Sequence, residues 1–239
     1  MSLGVSPSTP AADALRARAV PPGAGPGGGR EGLLAAARAE LAEHGHGAIS
    51  LRAVARRAGV SHAAPKYHFQ DRAGLLSAVA AEGFTALAAA LRRAIDSSGP
   101  VGGPEGSGPQ LAALGRGYID FGLANPALFD LMFRPNELHP EDPELQAAQG
   151  EAIGVLVAAV VRLVPPGPDA ATELPPLALI SWALVHGLVV LTRGGGLANV
   201  TGSATPQAAA DLARSLTEVF TTQITRADQD NRAGAAPAG

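Results

Sequence analysis

Residues 50–69, SLRAVARRAGVSHAAPKYHF, constrain the fold more tightly than any other stretch. Leu51, Val54, Ala55 and Ala58 recur at i, i+3, i+4 and i+7, the stripe of a short helix with one buried face. Ser50 precedes it with a hydroxyl able to accept a free first-turn amide. Gly59 follows it and takes a left-handed conformation at no steric cost, which ends the helix. Ser61 then stands as the cap of another short helix over about 62–68. Helices this short do not hold in isolation, so each must pack on the other. Ala55 is small where the second helix crosses, and Val60 plugs the turn into a core. Two short helices joined by AGVS are the centre of a helix-turn-helix.

The remaining periodicity is helical as well. Leu34, Ala37 and Leu41 mark a helix from Glu31 that stops at HGHG. Asp71 caps a long helix to about Ser97, with a stripe of Leu76, Val79, Leu87 and Leu91. The Gly/Pro-rich stretch 97–109 breaks the pattern. Helical segments follow at 110–124, after the Asn125-Pro126 start, and at 144–164, 175–193 and 205–227. RPNELHPEDP reads as a loop. No stretch alternates with period two over a strand's length. Ala and Leu supply much of a hydrophobic content of 46% and favour helices. The expectation is an all-α protein of about nine helices. It comprises a disordered tail over 1–29, a three-helix domain over 30–76 with its helix-turn-helix at about 49–68, a larger helical bundle over 77–227, and a disordered tail over 228–239.

Charge separates the same regions. Residues 30–72 carry seven Arg/Lys and four acids, a net of +3, while the rest carries 11 and 17, a net of −6. The basic segment is the one expected to meet an anion. It resembles the TetR family of transcriptional repressors over 32–80. The matching residues are Gly45, Ser50, Ala55, Ala58-Gly59-Val60-Ser61, His68-Phe69, Asp71-Arg72 and Leu75. The resemblance implies a double-stranded DNA operator as partner, with the helix after Gly59 in the major groove. Ser50, Arg52, Lys66, His68 and Arg72 are the candidate phosphate contacts. Ser61 is the cap of the recognition helix. His62, Ala63 and Ala64 lie at the end that meets base edges, the alanines offering only methyl contact. Arg56 and Arg57 divide between a solvated and a DNA-facing role. The family's usual tyrosine position is filled by Lys66, the only lysine in the chain. Tyr67 is displaced by one residue, about 100° of helix. It stays among the DNA-binding candidates, with covering the core as its other reading. Pro65 fits an early helical turn.

In the second region, YIDFGLANPALFDLMF (118–133) gathers aromatics, and SWALVHG (181–187) adds the one tryptophan. The latter is similar to a TetR subgroup with Trp-x-x-x-His-Gly in its C-terminal domain. The resemblance implies a pocket for a small apolar or aromatic ligand lined by Tyr118, Phe121, Phe129, Met132, Phe133, Trp182 and His186, against the plainer reading that these are bundle core. It also implies a homodimer through the helices at about 175–193 and 205–227, with an apolar stripe of Leu212, Leu216, Val219, Phe220 and Ile224. Ligand then shifts the population toward a head spacing that misfits successive major grooves.

No cofactor or metal is expected: His186 has no partner ligand nearby in sequence, His44 and His46 sit in a turn, and there is no cysteine. No nucleophile elbow or paired catalytic carboxylates appear, so the chain is not expected to be an enzyme. The most apolar window, 177–191, is shorter than a membrane span, and the N-terminal stretch does not read as a signal peptide. The expectation is a cytoplasmic protein. A DNA-binding regulator without a small-molecule inducer is the alternative.

Overall fold

The stripe of Leu33, Leu34, Ala37 and Leu41 forms the inner face of α1 (Arg30–His44), and the HGHG stretch ends it in a 3-10 turn, His46–Ala48. α2 (Leu51–Ala58) and α3 (Ala64–Phe69) follow, and α4 (Arg72–Ser97) runs unbroken out of this small domain. Beyond it lie α5 (Ser107–Ala124), α6 (Pro126–Met132), a 3-10 turn (Pro135–Glu137), α7 (Pro143–Leu163), α8 (Pro176–Arg193), α9 (Gly196–Thr201) and α10 (Pro206–Ala235). The computed structural model describes residues 29–99, 107–163, 174–202 and 205–235. Among them regular structure is entirely helical, ten α-helices against an expected nine or so. The expected tail over 1–28, the end of the chain past 235 and most of both Gly/Pro-rich breaks lie outside the described residues.

α4 is the spine. Its first turns pack on α1 and α3, and the remainder packs on α5, α6 and α7. Leu76, Val79, Leu87 and Leu91, the stripe read from the sequence, are all buried. α4, α7 and α8 are each long and apolar enough to cross a membrane by length and composition. In α4 67% of the most apolar window is packed inside the protein; in α8 only 22% is.

Three local expectations change. α10 continues through 228–235, where a tail was expected: no proline interrupts before Pro237, and a helix already nucleated extends through Asp, Gln and Arg at little cost. α9 was not foreseen, being a single turn and a half between two left-handed glycines. Ser61 does not cap α3 with its side chain. Residues 61–63 instead form a turn in which the Ala64 amide donates to the Ser61 carbonyl (3.1 Å), and the helix proper starts at Ala64. Pro65 is thereby the second helical residue, where a missing N–H leaves no bond unmade.

Candidate functional site: a helix-turn-helix head and an apolar cavity

The head is built from short-range signals. The Ser50 hydroxyl accepts from the Ala53 amide (3.1 Å) and starts α2. Gly59 sits at φ 68°, ψ 30°, and the chain reverses there while the Val60 amide returns to the Ala55 carbonyl (3.0 Å). Val54 and Ala55 are fully buried. Asp71 Oδ1 accepts from the Gly74 amide (2.8 Å) and caps α4. A Cβ on Gly74 would stand 2.2 Å from the Phe69 carbonyl oxygen, so only glycine lets α3 end this close to α4.

The cations of the head divide into two groups. Arg57 is tied to Glu40 (2.7 Å) and Glu43, on α1. Arg72 turns inward: Nε donates to the Ile49 carbonyl (2.9 Å), and Nη2 to the His46 carbonyl (2.8 Å) and the Glu137 carboxylate (3.1 Å). Arg52, Arg56 and Lys66 are exposed and hold no ion pair among the described residues. Ser61, His62 and Ala63 are exposed, Ala64 and His68 half-buried, and Phe69 buried. Tyr67 is 76% exposed, its ring edge-on to His68 at 5.2 Å.

Between α4, α5, α7, α8 and α10 lies a cavity of about 660 Å³. Tyr118, Met132, Phe133, Trp182 and His186 line it together with leucines from every one of the first four helices. The Trp182 indole N–H donates to the Tyr118 hydroxyl (3.2 Å), and that hydroxyl lies 3.1 Å from His186 Nδ1. An indole nitrogen can only donate. The Tyr118 oxygen therefore accepts from Trp182, and it shares a second hydrogen bond with His186 Nδ1 whose direction follows the imidazole tautomer. Burial raises the Tyr118 pKa and lowers that of His186, so the trio is neutral at physiological pH. His186 is neutral in either tautomer. Its ring stacks on Phe129 (5.2 Å, 24°) and meets Phe133 edge-on (4.5 Å).

Residues 133–140 join head and cavity. Phe133, Pro135, Leu138 and Pro140 face the cavity. Glu137, between them, takes the Arg72 bond and accepts from His46 Nδ1 (3.0 Å). His139 donates through its backbone amide to Ser77 Oγ (2.8 Å) and through Nε2 to Asp71 (3.1 Å). Burial alone would raise the Glu137 pKa, but Arg72 and His46 bring it below the ordinary carboxylate value.

Two family models match this chain: the tetR family of bacterial regulatory proteins over residues 33–79, and the tetracyclin repressor-like C-terminal domain over residues 111–220. The chain belongs to the TetR family of transcriptional regulators. Among solved structures it is similar to a protein with unknown function from Rhodococcus sp. RHA1 (32% identity, TM-score 0.62, covering 79% of this chain and 92% of that one). It shares its fold with the TetR family transcriptional regulator PfmR from Thermus thermophilus (22%, 0.52, 83% and 96%). A tetR-family bacterial regulatory protein from Rhodococcus RHA1 also shares it (19%, 0.54, 79% and 94%). No curated protein matches the sequence. TetR-family proteins are DNA-binding regulators of transcription rather than enzymes.

Against that family frame, the structure brings Ser50, Arg52, Ser61, His62, Ala63, Lys66 and Tyr67 onto or beside the exposed side of the head, with Ala64 and His68 partly covered. Arg72 is the member already engaged within the protein, through Nε and Nη2, by two backbone carbonyls and Glu137. Tyr67 does not cover the core. In the cavity, Phe121 and Phe129 do not line the wall. Both are buried in the core, Phe129 behind His186 and Phe133. Sequence reasoning missed Glu137 altogether, and no local pattern distinguishes it within RPNELHPEDP. Arg56, unlike Arg57, forms no ion pair among the described residues, and its charge reaches Glu40 only at longer range.

Proposed function

We propose that this TetR-family regulator is a repressor that binds a palindromic operator as a homodimer in the cytoplasm, and that a small, mainly apolar ligand in the cavity releases it. The observation that carries the reading is the shared segment 133–140. Alternate side chains of one short segment form cavity wall and hold the head, so a ligand that displaces Phe133, Pro135 or Leu138 moves Glu137 and His139 with them. Those two residues hold Arg72, His46 and Asp71, and through them the start of α2 and the cap of α4. The ligand needs only a differential affinity for two head positions.

Arg52, Arg56 and Lys66 are spare cations for phosphates, Tyr67 and His68 lie beside them, and Ser50, Ser61, His62, Ala63 and Ala64 sit at the edge that enters the groove. One such helix reads few base pairs, and pairing of two heads across a two-fold axis supplies the rest. The dimer face is read on α8 and α10: Ile180, Val190 and Leu191 on α8 and Val219 on α10 are about half exposed or more. That much apolar surface on helices is costly to leave in water. Of the stripe named from the sequence, Leu212, Leu216 and Ile224 pack partly on the protein's own core, and Phe220 lines the cavity. Val219 is the member left for a partner.

The test is selection of bound sequences from random DNA by the full chain, followed by binding stoichiometry. The expected product is an inverted repeat bound by two chains. No enriched sequence, or one chain per enriched site, would overturn the reading.

A further inference from the structure

The cavity differs from the rest of the protein in its charge. Among the described residues, no Asp, Glu, Lys or Arg lines it. Its polar groups are neutral, and most are already engaged. Thr217 and Thr221 turn their hydroxyls back onto carbonyls of their own helix (2.7 Å each). The Tyr118 hydroxyl is taken up by Trp182 and His186. Gln149, half-buried on the wall, makes no side-chain hydrogen bond among the described residues and can both donate and accept. Ser181 is the buried exception. It is 5% exposed, it lines the cavity, and its Oγ is buried without a hydrogen-bond partner. A helical serine ordinarily bonds back to the carbonyl four residues before it, and Ser181 forgoes that bond. The His186 ring is only partly buried, and its Nε2 likewise has no hydrogen-bond partner among the described residues. A buried donor left unmade is unfavourable, and buried polar groups in native proteins are nearly always satisfied.

We infer, on the reading that this cavity is the effector site, that its ligand is an uncharged, mainly hydrocarbon molecule bearing a carbonyl or hydroxyl oxygen, hydrogen-bonded to Ser181 Oγ or His186 Nε2. The Ser181 hydroxyl has no protein partner and can donate to or accept from a ligand oxygen, so a neutral polar oxygen is its complement. An ionised carboxylate or ammonium would lose its hydration and meet no opposite charge. The volume corresponds to about twenty waters at ~30 Å³ each, which suits a ligand of roughly 20 non-hydrogen atoms or fewer. The apolar walls hold the hydrocarbon, and Ser181 and His186 set its direction.

The experiment uses the full chain and four probes of matched length: methyl octyl ketone, decane, decanoate and decylammonium. Trp182 is the only tryptophan and forms part of the wall, so its fluorescence reports binding directly; thermal shift is the second readout. The ketone is expected to bind about tenfold more tightly than decane, and decanoate and decylammonium about 100-fold more weakly than the ketone. Ser181→Ala and His186→Phe are the discriminating variants. At least one should reduce ketone binding about fivefold to tenfold while leaving decane unchanged. Decanoate or decylammonium binding as tightly as the ketone would overturn the inference and leave the effector site standing. The ketone keeping its advantage over decane in both variants would overturn the assignment of Ser181 and His186 as the ligand's polar partners. Silence from all four probes in both readouts would overturn the effector-site reading itself, and the inference with it.

Discussion

The head and the cavity are built by opposite means. The head is specified within some twenty residues by a cap, a left-handed glycine and a four-residue stripe, and it leaves Arg52, Arg56 and Lys66 without acidic partners among the described residues. The cavity draws on residues from Phe84 to Thr221, carries no charge among its described lining, and leaves the Ser181 hydroxyl without a partner. An anionic polymer met from solution asks for unpaired cations on a rigid, locally coded surface. A small neutral molecule asks for enclosure, which only several helices together provide. The contrast predicts that damage to the two regions reads out differently.

The largest effect is expected at the cavity's support. Phe129→Ala removes a ring that is 2% exposed and stacks under His186, and should lower stability by about 3–5 kcal/mol in urea unfolding. A loss confined to ligand response, with stability intact, would break the comparison by making Phe129 as peripheral as a head residue. Next, Ser50→Ala removes the cap of α2 and should cost about 1 kcal/mol, with weakened operator binding at every ligand concentration. Glu137→Ala should cost a similar or smaller amount, about 1 kcal/mol, since the carboxylate is a quarter exposed and partly screened. Its distinctive signature is loss of coupling: operator affinity that no longer responds to occupied cavity, while Trp182 still reports binding.

The same contact has a pH signature. The folded Glu137 pKa lies below its unfolded value, so its contribution is full above about pH 4.3 and fades as pH falls through the lower folded value. Acid titration of the Glu137→Ala variant should therefore be flatter than that of the parent in this range. The smallest effect on stability is expected at Lys66→Ala. The side chain is exposed and unpaired among the described residues, so unfolding should be unchanged. The slope of log affinity against log salt should fall by about one unit. A Lys66 variant with an unchanged slope would remove it from the phosphate contacts and shift that duty to Arg52 and Arg56.

Much of the head was legible because its determinants are near neighbours. Ser50 caps α2, Gly59 takes the left-handed turn, Asp71 caps α4, and Leu76 to Leu91 are buried as the stripe requires. Ser61 misled because a cap is defined by backbone direction as well as residue type, and the chain turns once more before α3 begins. The cavity was legible only as a list of aromatics. Phe121, Phe129 and Phe133 look equivalent in sequence, yet only Phe133 reaches the cavity wall.

The sequence alone determined the helical class, the helix-turn-helix and the family, because periodicity, caps and glycine conformations act over a few residues. The tertiary structure alone decided which arginines are free. Arg52, Arg56, Arg57 and Arg72 are chemically alike, but ion pairing depends on residues 14 to 65 positions away. It also decided that Ser181 is left without a partner in a neutral cavity, and that Glu137, in an unpatterned loop, links that cavity to the head. Contacts between segments distant in sequence leave no local pattern to read, and in this protein they join the two functional regions.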